Sequence, residues 1–184
     1  MIRTAVDHDY PNVLMLPPFF YPDVSDEGLF QFLVEVARRL GRNRPFIHLH
    51  DFPAMVGFGL GAGLQARMND AYPELVVGAV DSSGDFDRMS GVVQRVPGFR
   101  VYAGTEELLL PLWLTGGAGC LSATCNVTAP AAKRVWDAIE NGDVAEAEKA
   151  QAALTAQRLA IQNWPLVPAV KAILRRRFPD RVSR

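Results

Sequence analysis

Cysteine is scarce in this chain, which has only Cys120 and Cys125 among its 184 residues. So few cysteines exclude the disulfide framework on which small secreted domains depend. The five-residue spacing of the pair within one extended segment predicts that the two side chains lie on opposite faces. We therefore expect two reduced thiols and a cytoplasmic protein.

An excess of charge of one sign is also lacking, because 19 lysine and arginine residues stand against 20 aspartates and glutamates. The formal net charge of -1 provides no basic surface for nucleic acid or for an anionic membrane. Long hydrophobic runs are missing as well, since Pro111 interrupts the most apolar stretch and the first residues form no signal segment. We expect neither a nucleic-acid partner nor a membrane span.

Apolar residues nevertheless make up 49% of the chain, which suffices for the core of one globular domain. Short apolar runs alternate with helical patterns until about residue 130, after which the pattern predicts helices alone. The predicted strands span residues 13–16, 46–50, 75–80, 100–103 and 119–124, and the predicted C-terminal helices span about 131–141, 144–161 and 167–178. Repeated βα units indicate a parallel sheet, and the weak in–out alternation predicts that helices cover both of its faces.

Several segments near the predicted strand ends carry specific motifs. They read VVGAVDSSGD at 76–85, GTEE at 104–107 and GAGCLSATCNV at 117–127. Together with VLMLPPFFYP at 13–22 and IHLHDFP at 47–53, these motifs resemble, in order and spacing, the dihydrodipicolinate synthase/N-acetylneuraminate lyase family. The resemblance covers nearly the whole chain.

The resemblance implies an α/β fold built as a TIM barrel and followed by three C-terminal helices. On that template the chain matches strands four to eight and the helical tail. We therefore expect a partial (β/α)8 barrel with the five C-terminal strands at 1–129, and a three-helix region at 130–184. Because a closed barrel takes roughly 250 residues, we expect that the first three strands are lost and that the truncated monomer is marginally stable.

The resemblance also implies a chemistry, that of a pyruvate-type class I aldolase or lyase. In such enzymes a lysine forms a Schiff base with pyruvate or a related keto acid, and no cofactor is needed. The family pattern places that lysine at Val80, the proton-relaying tyrosine of the fifth strand at His50, and a second relay tyrosine at Phe20. Leu121 matches a position that offers a backbone carbonyl beside the Schiff base, and Met55 lies near an arginine of the synthase branch. His50 and the backbone of Leu121 are the candidate contacts to a keto acid.

The lysines of the chain do not replace the amine that is lost at position 80. Lys133, Lys149 and Lys171 all fall in the predicted C-terminal helices, so we expect a protein that is catalytically defective in Schiff-base chemistry. The alternative is a non-catalytic subunit that binds a keto acid or modulates a full-length relative by pairing with it. A homo-oligomer is expected too, because the resemblance implies tetramers.

His48 and His50 suggest a third hypothesis, a metal-dependent aldolase. Residues two apart on a strand share a face, and a His-x-His pair can hold a divalent metal that stabilises an enolate. Asp81, Asp85 or Glu106 would have to supply the further ligands. Histidines at positions where relatives carry aromatic side chains are more often packed and hydrogen-bonded, so we do not expect a metal here.

Two further motifs are better explained by structure than by catalysis. Residues 57–62, GFGLGA, nominally fit a dinucleotide fingerprint, but Pro53 and the glycines of the following helix favour a flexible strand-to-helix connection. Ser82 and Ser83 lack the spacing of a nucleophile elbow and a neighbouring histidine in the sequence. We expect these serines, with Asp85, to cap the helix that follows.

Overall fold

A computed structural model of the chain describes residues 2–20, 23–41 and 44–179. Its centre is a five-stranded parallel sheet in the order β1-β2-β3-β4-β5. The strands are β1 Asn12–Met15, β2 Phe46–Asp51, β3 Val76–Asp81, β4 Arg100–Ala103 and β5 Gly119–Cys120. Neighbouring strands are consecutive in the sequence and are connected through helices, which confirms the predicted βα repeat.

The helices surround one side of this sheet and continue beyond it. They are α1 Ile2–Asp7, α2 Asp26–Leu40, α3 Pro53–Val56, α4 Ala62–Ala71, α5 Phe86–Arg95, α6 Leu109–Leu114, α7 Cys125–Glu140, α8 Val144–Gln162 and α9 Leu166–Arg177, with a 3-10 turn at Glu106–Leu108. The sequence pattern does not indicate α1 and α3, because both are too short to show a helical period. None of the helices in the described ranges has the length and apolar character needed to cross a membrane.

The fifth strand is shorter than the sequence predicts. It ends at Cys120 rather than near 124, and α7 already begins at Cys125. The predicted boundary between 129 and 130 therefore lies inside α7, since Pro130 does not end this helix. Pro130 removes one backbone hydrogen bond, and the burial of Val127 and Val135 on the same helix offsets that loss.

Helices cover one face of the sheet, and the main core lies there. Ile47 and Leu49 of β2 are 0% and 1% exposed on this face and pack with buried side chains of α2, α4 and α5. His48 and His50 alternate with them and are only half-buried, while Leu14 of β1 is 41% exposed. We call the face that carries these three residues the open face. Within residues 2–20, 23–41 and 44–179 the prediction of helices on both faces of the sheet is therefore wrong. The sequence was misleading because apolar residues also occur on the open face, so the strands show no clear alternation of apolar and polar side chains.

Two buried aspartates end neighbouring strands on the helix-covered face. Asp51 and Asp81 are register partners in β2 and β3 and are 1% and 2% exposed. Asp51 accepts a hydrogen bond from the Leu60 amide at 2.9 Å and pairs with the Arg88 guanidinium at 2.6 Å. These contacts tie the end of β2 to the segment before α4 and to α5, and so fix this edge of the sheet.

Asp81 is less well paired than its neighbour. Its Oδ1 accepts hydrogen bonds from the amide and the hydroxyl of Ser83, whereas Oδ2 is buried without a hydrogen-bond partner. Burial raises the pKa of the Asp81 carboxyl above its ordinary value, although the bonds from Ser83 act in the opposite direction. The native state therefore favours the protonated carboxyl more than the unfolded chain does.

Asp51→Ala should lower the free energy of unfolding by roughly 2–4 kcal/mol, because it leaves the Leu60 amide and the Arg88 guanidinium without their partner. Urea unfolding followed by circular dichroism measures the change. Glu35→Ala is the matched control, since Glu35 forms its ion pairs on the exposed surface of α2, where such pairs contribute little. Equal destabilisation by the two variants would contradict the role assigned to Asp51.

Asp81→Asn should remove a pH dependence of stability. Between the ordinary pKa of 3.8 and the raised native pKa, the native state binds more protons than the unfolded chain, so wild-type stability falls as the pH rises. Asparagine does not titrate, so the variant should match the wild type below this window and exceed it at about pH 7. Urea unfolding at a series of pH values measures the difference, and a difference independent of pH would argue against a raised pKa.

Candidate functional site

The carboxyl ends of the strands surround a cavity of about 710 Å³. His50 of β2, Ser82 after β3 and Thr105 after β4 line it, and Arg158 of α8 and Leu166 of α9 face it from the helical side. In parallel α/β sheets this edge carries ligand sites, because the loops that follow the strands converge there. The cavity is therefore the candidate site.

His50 and Ser82 form a hydrogen-bonded pair on the wall of the cavity. The His50 Nε2 lies 3.1 Å from the Ser82 hydroxyl oxygen, and the tautomer of the imidazole decides which group donates. Burial lowers the pKa of His50, with Asp51 acting against it, so the ring is neutral near neutral pH. Gly104 lets β4 approach Ser82, since a Cβ at this glycine would lie 2.5 Å from the serine hydroxyl.

The sequence alone did not suggest this pair, because the two residues lie 32 positions apart. The register of the sheet explains it: His50 pairs with Val80, so the residue two positions after Val80 reaches the end of β2. Ser82 therefore contacts a histidine, which the sequence analysis did not foresee. The predicted cap is confirmed for Asp85, whose carboxylate accepts hydrogen bonds from the Asp87 and Arg88 amides at the start of α5.

Val80 lies one residue before the end of β3, in register with His50 on one side and Tyr102 on the other. Register partners share a face, so the three side chains lie side by side on the open face. Val80 is 2% exposed and does not line the cavity. Its isopropyl group offers neither a nucleophile nor a proton, so this position contributes no chemistry.

His48 is packed and hydrogen-bonded in the sheet. Its Nε2 lies 3.2 Å from the Asn12 side-chain oxygen, and its ring makes an edge contact with Tyr102 at a centroid separation of 5.7 Å. Burial and then the charge of Arg100 lower the pKa of His48. In the part of the chain that the structure describes, neither His48 nor His50 belongs to a group of three potential metal ligands.

The other residues singled out by the family pattern lie in different places. Leu121 lines the cavity, is 53% exposed, and donates its backbone amide to the Ala103 carbonyl at 2.9 Å. Phe20 and Met55 are 83% and 59% exposed and do not line the cavity. The 57–62 segment connects α3 to α4 and is anchored by the bond from the Leu60 amide to the Asp51 carboxylate.

Glu106 of the GTEE motif does not line the cavity; its buried side chain contacts residues of both α7 and α8. Its carboxylate is 0% exposed and accepts hydrogen bonds from the hydroxyls of Thr124 at 2.6 Å and Thr128 at 2.7 Å. Arg158 Nε lies 3.5 Å from the same carboxylate. Burial by itself would raise the pKa of Glu106, but the hydroxyl donors outweigh it and hold the pKa below its ordinary value.

The two cysteines lie together, so the prediction that they occupy opposite faces is wrong. Cys120 ends β5 and Cys125 begins α7, and the turn between them brings both Sγ atoms and a Glu106 carboxylate oxygen within 4.8 Å of one another. Both are free thiols. The close approach of the two thiols raises the pKa of Cys120 and lowers that of Cys125. The prediction failed because it treated 119–124 as one extended segment.

Comparison with known proteins identifies relatives over most of the chain. A sequence model of the dihydrodipicolinate synthetase family matches residues 3–178. An uncharacterized DapA-like lyase of Chloroflexus aurantiacus is 26% identical over 94% of this chain and 56% of its own length. The 4-hydroxy-tetrahydrodipicolinate synthase of Methanopyrus kandleri is 30% identical over 79% and 47%, and the N-acetylneuraminate lyase of Lactiplantibacillus plantarum is 25% identical over 82% and 50%. The chain spans about half the length of these relatives.

Solved structures share the fold. YagE, a prophage protein of the dihydrodipicolinic acid synthase family from E. coli K12 in complex with pyruvate, gives a TM-score of 0.82 at 23% identity, over 94% of this chain and 57% of that one. Dihydrodipicolinate synthase from Thermotoga maritima gives 0.82 at 22% identity, over 94% and 58%. At these identities the likeness concerns the fold alone.

Proposed function

The chain belongs to the dihydrodipicolinate synthetase family, and we propose that it binds a small keto acid without forming the Schiff base of the aldolases and lyases that it resembles. The observation that carries the proposal is the valine at position 80. In the family pattern this position holds the lysine whose amine attacks the keto carbon. Imine formation needs a primary amine beside the substrate, and Val80 has none.

The remaining lysines support this proposal by their positions. Lys133 of α7 and Lys149 of α8 are 72% and 81% exposed at the side chain and pair with carboxylates of their own helices. Lys171 lies in α9. None of the three lines the cavity, so within the described ranges no lysine amine reaches the site where a keto acid would bind.

The lining of the cavity supports keto-acid binding. Hydroxyl and amide groups of Ser82, Thr105, Ser122 and Asn126 surround it, and such groups can donate hydrogen bonds to a carboxylate and a ketone oxygen. Arg158 is the cationic side chain among the described lining residues; its Nε and Nη1 have no hydrogen-bond partner, and its Nε lies 3.5 Å from the Glu106 carboxylate. A guanidinium in this position favours an anionic ligand.

Borohydride reduction in the presence of pyruvate tests the missing chemistry. The wild-type protein should form no adduct beyond the low level that exposed lysines give, because an imine requires an amine in the cavity. Val80→Lys should form one trapped adduct per chain, detected by intact mass spectrometry and assigned by peptide mapping. Turnover should remain absent in this variant, since His50 and Phe20 stand where the family pattern has tyrosines.

Val80→Met is the matched control, because methionine has a side chain of similar length but no amine. It should behave as the wild type does in the trapping experiment. A stoichiometric adduct on the wild-type chain would overturn the proposal. Binding of pyruvate itself is followed separately by ligand-observed NMR, and absence of binding to the folded wild-type protein would remove the keto-acid part.

A second candidate function is a non-catalytic subunit that acts by association, and the open face favours it. We propose that the five strands form part of a TIM-like barrel, so that the open face corresponds to the barrel interior. Leu14 is 41% exposed on this face, and His48 and Tyr102 beside it are half-buried. In the described ranges β1 pairs with β2 alone and β5 with β4 alone, which leaves two strand edges for another chain.

Self-association should therefore be observed by native mass spectrometry and by size-exclusion chromatography over a range of concentrations. Leu14→Glu should shift the protein towards monomer, because it places a charge on the open face. Val144→Glu is the matched control, since Val144 is 54% exposed at the start of α8, away from the sheet. A wild-type protein that stays monomeric, alone and when mixed with a full-length relative, would exclude this second function.

A further inference from the structure

A cluster of three potential metal ligands lies where β5 meets α7, and the proposed function makes no use of it. The Sγ atoms of Cys120 and Cys125 and a carboxylate oxygen of Glu106 all lie within 4.8 Å of one another. Across residues 2–20, 23–41 and 44–179, this is the one group of three or more histidine, cysteine, aspartate or glutamate side chains with that spacing. The residues that follow the cysteines, Leu121 and Asn126, line the cavity.

Each of the three ligands is held by the surrounding structure. Cys120 is the last residue of β5, and Cys125 is fixed at the start of α7 by the bond from its amide to the Ser122 carbonyl at 3.2 Å. The hydroxyls of Thr124 and Thr128 hydrogen-bond to the two carboxylate oxygens of Glu106. Hydrogen bonds of this kind orient the ligands of metal centres and tune their affinity.

The charges of the cluster suit a divalent cation. Two thiolates and the Glu106 carboxylate carry three negative charges, of which the Arg158 guanidinium, 3.5 Å from the carboxylate, neutralises one. A doubly charged ion neutralises the other two. These charges exist only when the metal is bound, and because Glu106 is 0% exposed a bound cluster with net charge would be unfavourable. An ion of charge two leaves the bound cluster neutral.

The donor set and the spacing select the ion. Thiolate ligands favour zinc over the hard cations magnesium and calcium. Zinc at about 2.3 Å from sulfur places tetrahedral ligand atoms roughly 3.5–3.8 Å apart, so the ligands of this cluster need to approach by about 1.3 Å at most from their 4.8 Å spread. We propose that Cys120, Cys125 and Glu106 bind a zinc ion, with a water as the fourth ligand.

Binding converts both thiols to thiolates, and their protons pass to the solvent. The competing state of the cysteine pair is a disulfide, which would remove both sulfur ligands. The experiment therefore uses protein kept reduced with a phosphine, stripped of metal and free of any histidine tag. Zinc binding at this cluster is tested separately from the keto-acid proposal, because none of its three ligands lines the cavity, although Arg158 borders both.

Titration with Co²⁺ tests the site, since cobalt accepts the same ligands and absorbs light when thiolates coordinate it. The expected result is one Co²⁺ per chain, with a sulfur-to-metal charge-transfer band in the near ultraviolet. Zn²⁺ should then displace the cobalt and abolish the band, because zinc binds such ligands more tightly. Mass spectrometry of the native protein gives the stoichiometry directly.

Cys120→Ser and Cys125→Ser should each weaken Co²⁺ binding by at least about tenfold and reduce the charge-transfer band. Thr128→Val removes one donor to Glu106 without removing a ligand, so it should weaken binding while the band is retained. Glu107→Gln is the matched control, because Glu107 adjoins Glu106 in sequence but lies outside the cluster. Circular dichroism and thermal melting establish that each variant is folded.

Two results would overturn the assignment of the zinc site. One is the absence of Co²⁺ and Zn²⁺ binding by the reduced, folded wild-type protein. The other is binding that survives both serine substitutions or shows no charge-transfer band, since the ion would then be held by other groups. Neither result bears on pyruvate binding, and a failure of pyruvate to bind would leave the zinc site standing.

Discussion

The burial of the Glu106 carboxylate is the constraint on which the arrangement of the site depends. A carboxylate removed from water requires compensation. Thr124 and Thr128 around the start of α7 donate hydrogen bonds to it, and Arg158 of α8 adds an ion pair at 3.5 Å. Gln151 of α8 adds a hydrogen bond to the Glu106 backbone carbonyl at 2.9 Å. Glu106 thus joins the turn after β4 to the start of α7 through its side chain, and to α8 through its backbone carbonyl and the ion pair with Arg158. The helical wall of the cavity and the position of the cysteine pair both follow from this junction.

The segment VVGAVDSSGD combines two roles that the pleat of β3 separates. Asp81 faces the helices, where Ser83 contacts its carboxylate, and Asp85 caps α5. These residues stabilise the edge of the sheet whatever chemistry takes place beside it. Val80 faces the other way, between His50 and Tyr102. The stabilising contacts of the motif are therefore independent of the side chain at position 80.

Sequence patterns predicted the features that depend on local interactions. The five strands, their parallel order and the cap at Asp85 follow from hydrophobic periodicity and from hydrogen bonds between near neighbours. The contact of His50 with Ser82 depends on the register between two strands, which no local pattern specifies. The approach of Cys120 to Cys125 depends on a turn inside a segment that had the composition of a strand. The first failure concerns long-range geometry and the second a local turn, and they lie at the candidate site and next to it.

The burial of position 80 affects both the chemistry that a side chain could perform there and the stability of the sheet. A lysine at a position that is 2% exposed would bring its amine into a poorly solvated place, where burial lowers the amine pKa, makes it nucleophilic and costs stability. Fully burying a valine side chain instead contributes roughly 1.5–3 kcal/mol. At this position a side chain without an amine is thus also one whose burial stabilises the sheet, as expected where activity and stability place opposite demands on one residue.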